Sequence, residues 1–124
     1  GALRIMILGI GCDLLEIGRM ERLQRRRTGL NRIFTERELS HAAGRSAVLA
    51  GDFCVKEALS KAFGTGLSAF SLPEVEVLRD PAGKPYVVLH GRARALYERL
   101  GGRRILVSIS DTRELVMAQA LLEG

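Results

Sequence analysis

The sequence predicts an α+β domain built on a mostly antiparallel sheet with packed helices. Three observations carry that reading. Apolar and polar residues alternate from Arg104 to Ser110, the period of a half-buried strand. A turn cluster, Asp80-Pro81-Ala82-Gly83-Lys84-Pro85, separates two short β-prone runs, as a hairpin requires. From Asp52 onward, Phe53, Ala58, Leu59, Ala62 and Phe63 recur near helical spacing, and the run stops at Gly64-Thr65-Gly66, which reads as a helix and its terminator.

The elements follow in chain order. Arg4 to Gly9 is short and β-branched at Ile5 and Ile7, and is expected to be a buried strand. It leads through Gly9-Ile10-Gly11-Cys12 to the carboxylate of Asp13. Leu15 to Arg26 reads as an amphipathic helix, with Leu15, Met20 and Leu23 apolar and Arg19, Arg22 and Arg26 at i, i+3 and i+7 on another side. Arginines at its end and Gly29 beyond suit a helix C-terminus. Thr35 with Glu38 three residues later is a capping signal, so a second helix starts there and runs to about Gly44. A longer helix spans Ser46 to Phe63. Pro73 opens a strand through Val75 and Val77, and Tyr86 to Leu89 returns beside it. Gly91 to Leu100 is a short helix stopped by Gly101-Gly102. Ile105, Val107 and Ile109 face inward on the next strand, Asp111-Thr112-Arg113 turns, and Leu115 to Leu122 is the last strand.

A chain of 124 residues is expected to form one domain over 1–124, long enough to bury a core without disulfide or metal staples. The apolar opening Leu3 to Ile10 is interrupted by Asp13 and Glu16, far short of the ~20 residues of a membrane span. It lacks a signal peptide's basic flank and cleavage site. Gly1-Ala2 reads as an expression remnant, and the expected compartment is cytoplasmic. Cys12 and Cys54 lack metal-ligand spacing and read as reduced thiols. His41 and His90 sit in polar segments and read as surface residues. A net charge of +5 draws anions, whether nucleic acid, an acidic protein or a polyphosphate. With four Phe, two Tyr and no Trp, the chain is short of stacking platforms for single-stranded nucleic acid.

Glu57, Ser60, Lys61 and Gly64 fall at i, i+3, i+4 and i+7 and so share a helix face. A carboxylate, a hydroxyl and an ammonium in one stripe, with Asp13 as a second carboxylate, point to metal-assisted chemistry on a phosphate substrate. Each residue also has a plainer role open to it. Asp13 is a good N-cap for a helix starting near Leu15. Glu57 and Lys61 form an i,i+4 pair worth about 0.2–0.5 kcal/mol. Lys56 has Asp52 within salt-bridge reach, and the arginine stripe is also a solvated face.

Together these segments resemble the holo-acyl-carrier-protein synthase family, the small 4′-phosphopantetheinyl transferases. The family's Gly-Ile-Gly-x-Asp-x-x-x-x-x-Arg matches Gly9 to Arg19. Its Phe-x-x-Lys-Glu-Ala-x-x-Lys-Ala-x-Gly-Thr-Gly matches Phe53 to Gly66, and its Gly-Lys-Pro matches Gly83-Lys84-Pro85. The resemblance implies that family's fold and the transfer of 4′-phosphopantetheine from coenzyme A to a serine of apo acyl carrier protein, releasing adenosine 3′,5′-bisphosphate. It implies Mg²⁺ on Asp13 and Glu57, and Lys61 on the diphosphate. It further implies coenzyme A contacts from Lys56, Ser60, Gly64, Pro85, Asp111 and Thr112. Carrier-protein docking would fall on Arg19, Arg22 and Arg26, and a homotrimer would place its sites between subunits. The proton acceptor for the serine is open between Glu57 and a metal-bound water.

Two departures matter. Asp52 stands where many members carry an Arg expected to hold the 3′-phosphate of coenzyme A, and Arg45 is the substitute at hand. Asp111 replaces a His in a Ser-x-Ser/Thr-His-Thr stretch. These departures keep open a binding module that has lost catalysis. A small basic nucleic-acid binder explains the charge but not the two motifs.

Overall fold

The computed structural model describes residues 4–124; Gly1, Ala2 and Leu3 lie outside the described residues. Five strands and four helices run in the order β1 (Ile7–Glu16), α1 (Ile17–Arg25), α2 (Glu36–Ala42), α3 (Ser46–Phe63), β2 (Val75–Arg79), β3 (Pro85–Leu89), α4 (Gly91–Arg99), β4 (Arg104–Asp111) and β5 (Leu115–Glu123). Three strands pair antiparallel in the order β1-β5-β4, and β2-β3 is a separate hairpin. The α+β class and the antiparallel pairing are as the sequence predicts.

Helix α3 is the centre of the molecule. Buried residues such as Leu49, Val55, Ala58, Leu59 and Phe63 surround its axis, as expected of a helix enclosed on most sides. The inner face of the three-stranded sheet packs on it through Leu15, Val116, Ala118, Ala120 and Leu122. The glycines of β1 set how closely. A Cβ on Gly9 would stand 1.9 Å from the Ala62 carbonyl oxygen, and one on Gly11 1.9 Å from that of Ala58. Strand and helix backbones therefore touch, and any larger residue would push them apart. The Gly-Ile-Gly run serves this contact.

Several boundaries differ from expectation. The first strand begins at Ile7 and runs to Glu16, because β5 pairs with it as far as Leu115. Ile5 and Ile7 are 69% and 59% exposed, so the start of the chain is not buried in one copy. Leu15 belongs to the strand, and α1 starts at Ile17 with Glu16 as an N-cap that makes no side-chain bond. Asp13 is thus a mid-strand residue and not a helix cap. The capping box of α2 forms as predicted: Thr35 Oγ1 accepts from Glu38 N, and Glu38 Oε1 accepts from Thr35 N at 2.9 Å. Gly64, with φ +79, stops α3.

Candidate active site

Alternation along β1 puts Asp13 on the same face as Gly11 and Leu15, toward α3. Helix α3 turns Glu57 and Lys61 toward it. Lys61 Nζ donates to the Cys12 carbonyl at 2.9 Å and lies 3.6 Å from Asp13 Oδ1. The i,i+4 partner Glu57 is passed over for the strand. Burial raises the pKa of Glu57, and the negative charge of Asp13 raises it further, against Lys61 and Arg19. A carboxylate whose ionisation is opposed by burial and by a second carboxylate beside it, next to an ammonium, forms a site that a cation would relieve. Among the described residues no third His, Cys, Asp or Glu joins them. That donor set fits Mg²⁺, which is held by one or two carboxylates and keeps its other positions for water and phosphate oxygens.

Behind Asp13 is Cys54, fully buried. Its Sγ donates toward the Val116 carbonyl at 3.7 Å. Burial, with the neighbouring Asp13 carboxylate next in size, pushes the thiol up to about 12. Such a thiol stays protonated and is no nucleophile.

Lys56 does not join the site. Its side chain is fully buried, and Nζ donates to Glu38 Oε1 at 2.9 Å, to the Leu72 carbonyl at 3.0 Å and to the Val75 carbonyl. Burial lowers its pKa, while Glu38 holds it up. Lys56 ties α3 to α2 and to the entry of β2, and offers nothing to a phosphate. Ser60 is corrected in the same way: it is buried, and its hydroxyl donates to the Glu57 carbonyl at 2.6 Å. Asp52, fully buried, pairs with Arg79 Nη2 at 2.8 Å and not with Lys56. Neither of its oxygens receives a well-directed hydrogen bond. Burial outweighs the Arg79 charge and raises the Asp52 carboxyl to about 6. Since Asp52 faces the interior, it is no sign of a lost ligand contact.

The remaining residues stand apart from the carboxylates. Arg45 is the N-cap of α3, and its guanidinium donates to the carbonyls of Ala42 at 2.9 Å and His41 at 2.7 Å. Along the helix it is about 18 Å from Glu57. Pro85 opposes Arg79 in the hairpin, and Arg79 reaches α3 at Asp52. Asp111 pairs with Val116 at the far end of β4. Thr112 Oγ1 accepts from Leu115 N at 3.1 Å. One copy therefore carries two groups of predicted residues at different levels of α3.

The three arginines of α1 do share a feature. Arg19, Arg22 and Arg26 line a groove of ≈ 260 Å³ whose apolar walls are Leu15, Met20, Leu23 and Phe53. The arginine periodicity was legible in the sequence. The groove was not, because Phe53 comes from α3.

Comparison with known proteins places the chain in a family. Residues 9–118 match the 4′-phosphopantetheinyl transferase superfamily. The chain is 42% identical to a holo-[acyl-carrier-protein] synthase of Clostridium perfringens, with 96% of each chain covered. Among solved structures it superposes on a Plasmodium yoelii acyl carrier protein synthase with ADP bound, at a TM-score of 0.88 and 30% identity over 98% of each chain. A Bacillus anthracis holo-(acyl-carrier-protein) synthase in complex with coenzyme A (3′,5′-ADP) matches at a TM-score of 0.80 and 34% identity, over 96% of this chain and 98% of that one. Fold and site thus define an enzyme of the phosphopantetheinyl transferase class. Within that class, the chain belongs to the holo-acyl-carrier-protein synthase family.

Proposed function

We propose that this protein transfers 4′-phosphopantetheine from coenzyme A to a serine of an acidic apo acyl carrier protein, with Mg²⁺ as cofactor and adenosine 3′,5′-bisphosphate as the other product. The observation that carries the reading is the convergence of Asp13, Glu57 and Lys61 from β1 and α3, with Asp13 two residues along β1 from Leu15 of the arginine-lined groove. The family's names supply the substrates. Mg²⁺, held by Asp13 and Glu57, would offset charge on the diphosphate oxygens. Lys61, held at the Cys12 carbonyl and near Asp13 with its side chain 53% exposed, would be the ammonium that meets the phosphate that leaves. Gly64 ends α3 there and lets the backbone turn beside the same phosphate.

The groove on α1 would seat the carrier protein. Its arginines meet carboxylates and its apolar walls meet a helix, so association should weaken with salt. The nucleotide end of coenzyme A would need Arg45, Pro85, Asp111 and Thr112 from a second copy. The outer face of the three-stranded sheet supports that assembly. Ile10 and Leu14, 64% and 65% exposed, lie with Met117, Leu106 and half-buried Leu121 on this face, with Gln119 and Ser108 between them. Such a patch is typical of an interface, and a homotrimer is proposed on it. A purely binding module is disfavoured because the buried Asp52, one of its two signs, faces away from the site.

The test is intact-mass spectrometry of apo acyl carrier protein incubated with this protein, coenzyme A and Mg²⁺. A gain of one phosphopantetheine is expected, at an initial rate that Asp13→Ala lowers about 10²–10³-fold. No gain with a folded sample across several carrier proteins would overturn the reading.

A further inference from the structure

Lys61 leaves its own helix face to rest on β1. Its Nζ donates to the Cys12 carbonyl at 2.9 Å and lies 3.6 Å from Asp13 Oδ1. That grip is slight beside that of Lys56, which is enclosed by Glu38 and two carbonyls. The Lys61 side chain is 53% exposed, and a half-exposed ion pair contributes little stability. Its flexible four-carbon stem lets the ammonium swing, and it stands in the last turn of α3, just before the chain turns at Gly64. Lys61 can therefore leave the strand at small cost. The carboxylate it would leave is one of the two that suit a divalent cation, and the other, Glu57, lies one turn earlier on the same face of α3.

We propose that Lys61 is a built-in counter-ion of Asp13 that a divalent cation displaces, and that this exchange moves the ammonium from the strand to the substrate phosphate. The exchange rests on the function proposed above, which supplies both the cation and the phosphate. Lys61 and the cation claim the same carboxylate, and two positive charges at such range repel. While Asp13 is paired with Lys61, the ammonium stays at the Cys12 carbonyl. With Asp13 neutralised by the cation, only that carbonyl retains Lys61, against repulsion. A charged phosphate oxygen is then the stronger hydrogen-bond partner. The site is thereby used in order, cation first and phosphate contact second. Loss of the ammonium should act in opposite directions on the two ligands: the cation binds more tightly and coenzyme A more weakly. A lysine that merely suits the C-terminus of α3 would not respond to the cation at all.

The chain's lysines make the test direct. They are Lys56, Lys61 and Lys84; Lys56 is fully buried and Lys84 is exposed. In trace acetylation read by peptide mass spectrometry, Lys84 is the internal reference. Saturating Mg²⁺, without coenzyme A, should raise the labelling of Lys61 severalfold relative to Lys84. In Asp13→Ala, Lys61 should label at the raised level from the start and not respond to Mg²⁺. Mn²⁺ affinity, measured by electron paramagnetic resonance, should tighten about tenfold in Lys61→Met and stay near the wild-type value in Lys61→Arg, which keeps the charge. Lys61 labelling that ignores Mg²⁺, Lys61→Met no tighter for Mn²⁺ than the wild type, or an equal tightening in Lys61→Arg overturns the exchange and leaves the proposed function standing. Mn²⁺ binding that survives Asp13→Ala undiminished, or no cation binding by the wild type, overturns the proposed metal site and the exchange with it.

Discussion

Two lysines five residues apart on α3 form similar ion pairs in opposite surroundings. Lys61 lies 3.6 Å from Asp13 with its side chain half in solvent. Lys56 lies 2.9 Å from Glu38 with neither side chain exposed. The difference is which side of α3 each faces. One looks along the edge of β1 into an opening, and the other into the seam between α2 and the β2 hairpin. A charge pair in the seam must be fully hydrogen-bonded to be tolerated, and Lys56 has two carbonyls besides Glu38. A pair open to solvent can be loose, because water can complete it. What this teaches is that a matched family motif mixes residues of two kinds, and only burial separates them.

The largest expected effect breaks the buried side of the comparison. Lys56→Ala should cost about 3–5 kcal/mol of stability, since it strands Glu38 without its charge partner. Urea unfolding measures it. A loss of transfer with unchanged stability would instead return Lys56 to the substrate. Breaking the open pair should do the reverse. Asp13→Ala should lower kcat/KM about 10²–10³-fold, by analogy with removing one electrostatic contact to the reacting group, and leave the urea midpoint nearly unchanged.

A third expectation concerns Asp52, buried like Lys56 but poorly satisfied. Its carboxyl is raised to about 6 from 3.8, so the folded protein binds a proton that the unfolded chain releases. Stability from this group is full below the unfolded value and is lost as pH rises through about 6, a change of order 2–3 kcal/mol. Asp52→Asn should flatten the decline in stability between pH 4 and 7. If the decline persists in the variant, another group owns it. Smallest of all, Ser60→Ala removes one local hydroxyl bond within the helix. Stability should change by no more than about 1 kcal/mol, with kcat and the KM for coenzyme A unaltered; a raised KM would restore Ser60 to the ligand.

Much of this was legible in the sequence. Strand alternation at Ile105, Val107 and Ile109, the capping box at Thr35 and the Gly64 stop are local signals, and each element formed near its expected place. The chemical types of Asp13, Glu57 and Lys61 suggested one site, but their roles as metal ligands and phosphate contact came only from resemblance, since no periodicity joins residues more than forty positions apart. Where the reading failed, a long-range partner decided. The first strand extended to Glu16 because β5 could pair with it that far, overriding the cap that Asp13 offered. Ser60 and Lys61 are adjacent in sequence, and only packing shows that one is enclosed and the other open.

By itself, then, the sequence determined the periods, the caps and stops, and the chemical types available to the site: two carboxylates, an ammonium and a stripe of guanidinium groups. Local geometry fixes those, because helix and strand place neighbours at set spacings whatever lies around them. The tertiary structure alone decided that Gly9 and Gly11 let β1 touch α3, that Lys56 and Asp52 are interior, and that the arginines of α1 line a groove closed by Phe53 of α3. Burial and partnership depend on which distant segments fill the space beside a residue, and that is settled only when the whole chain packs.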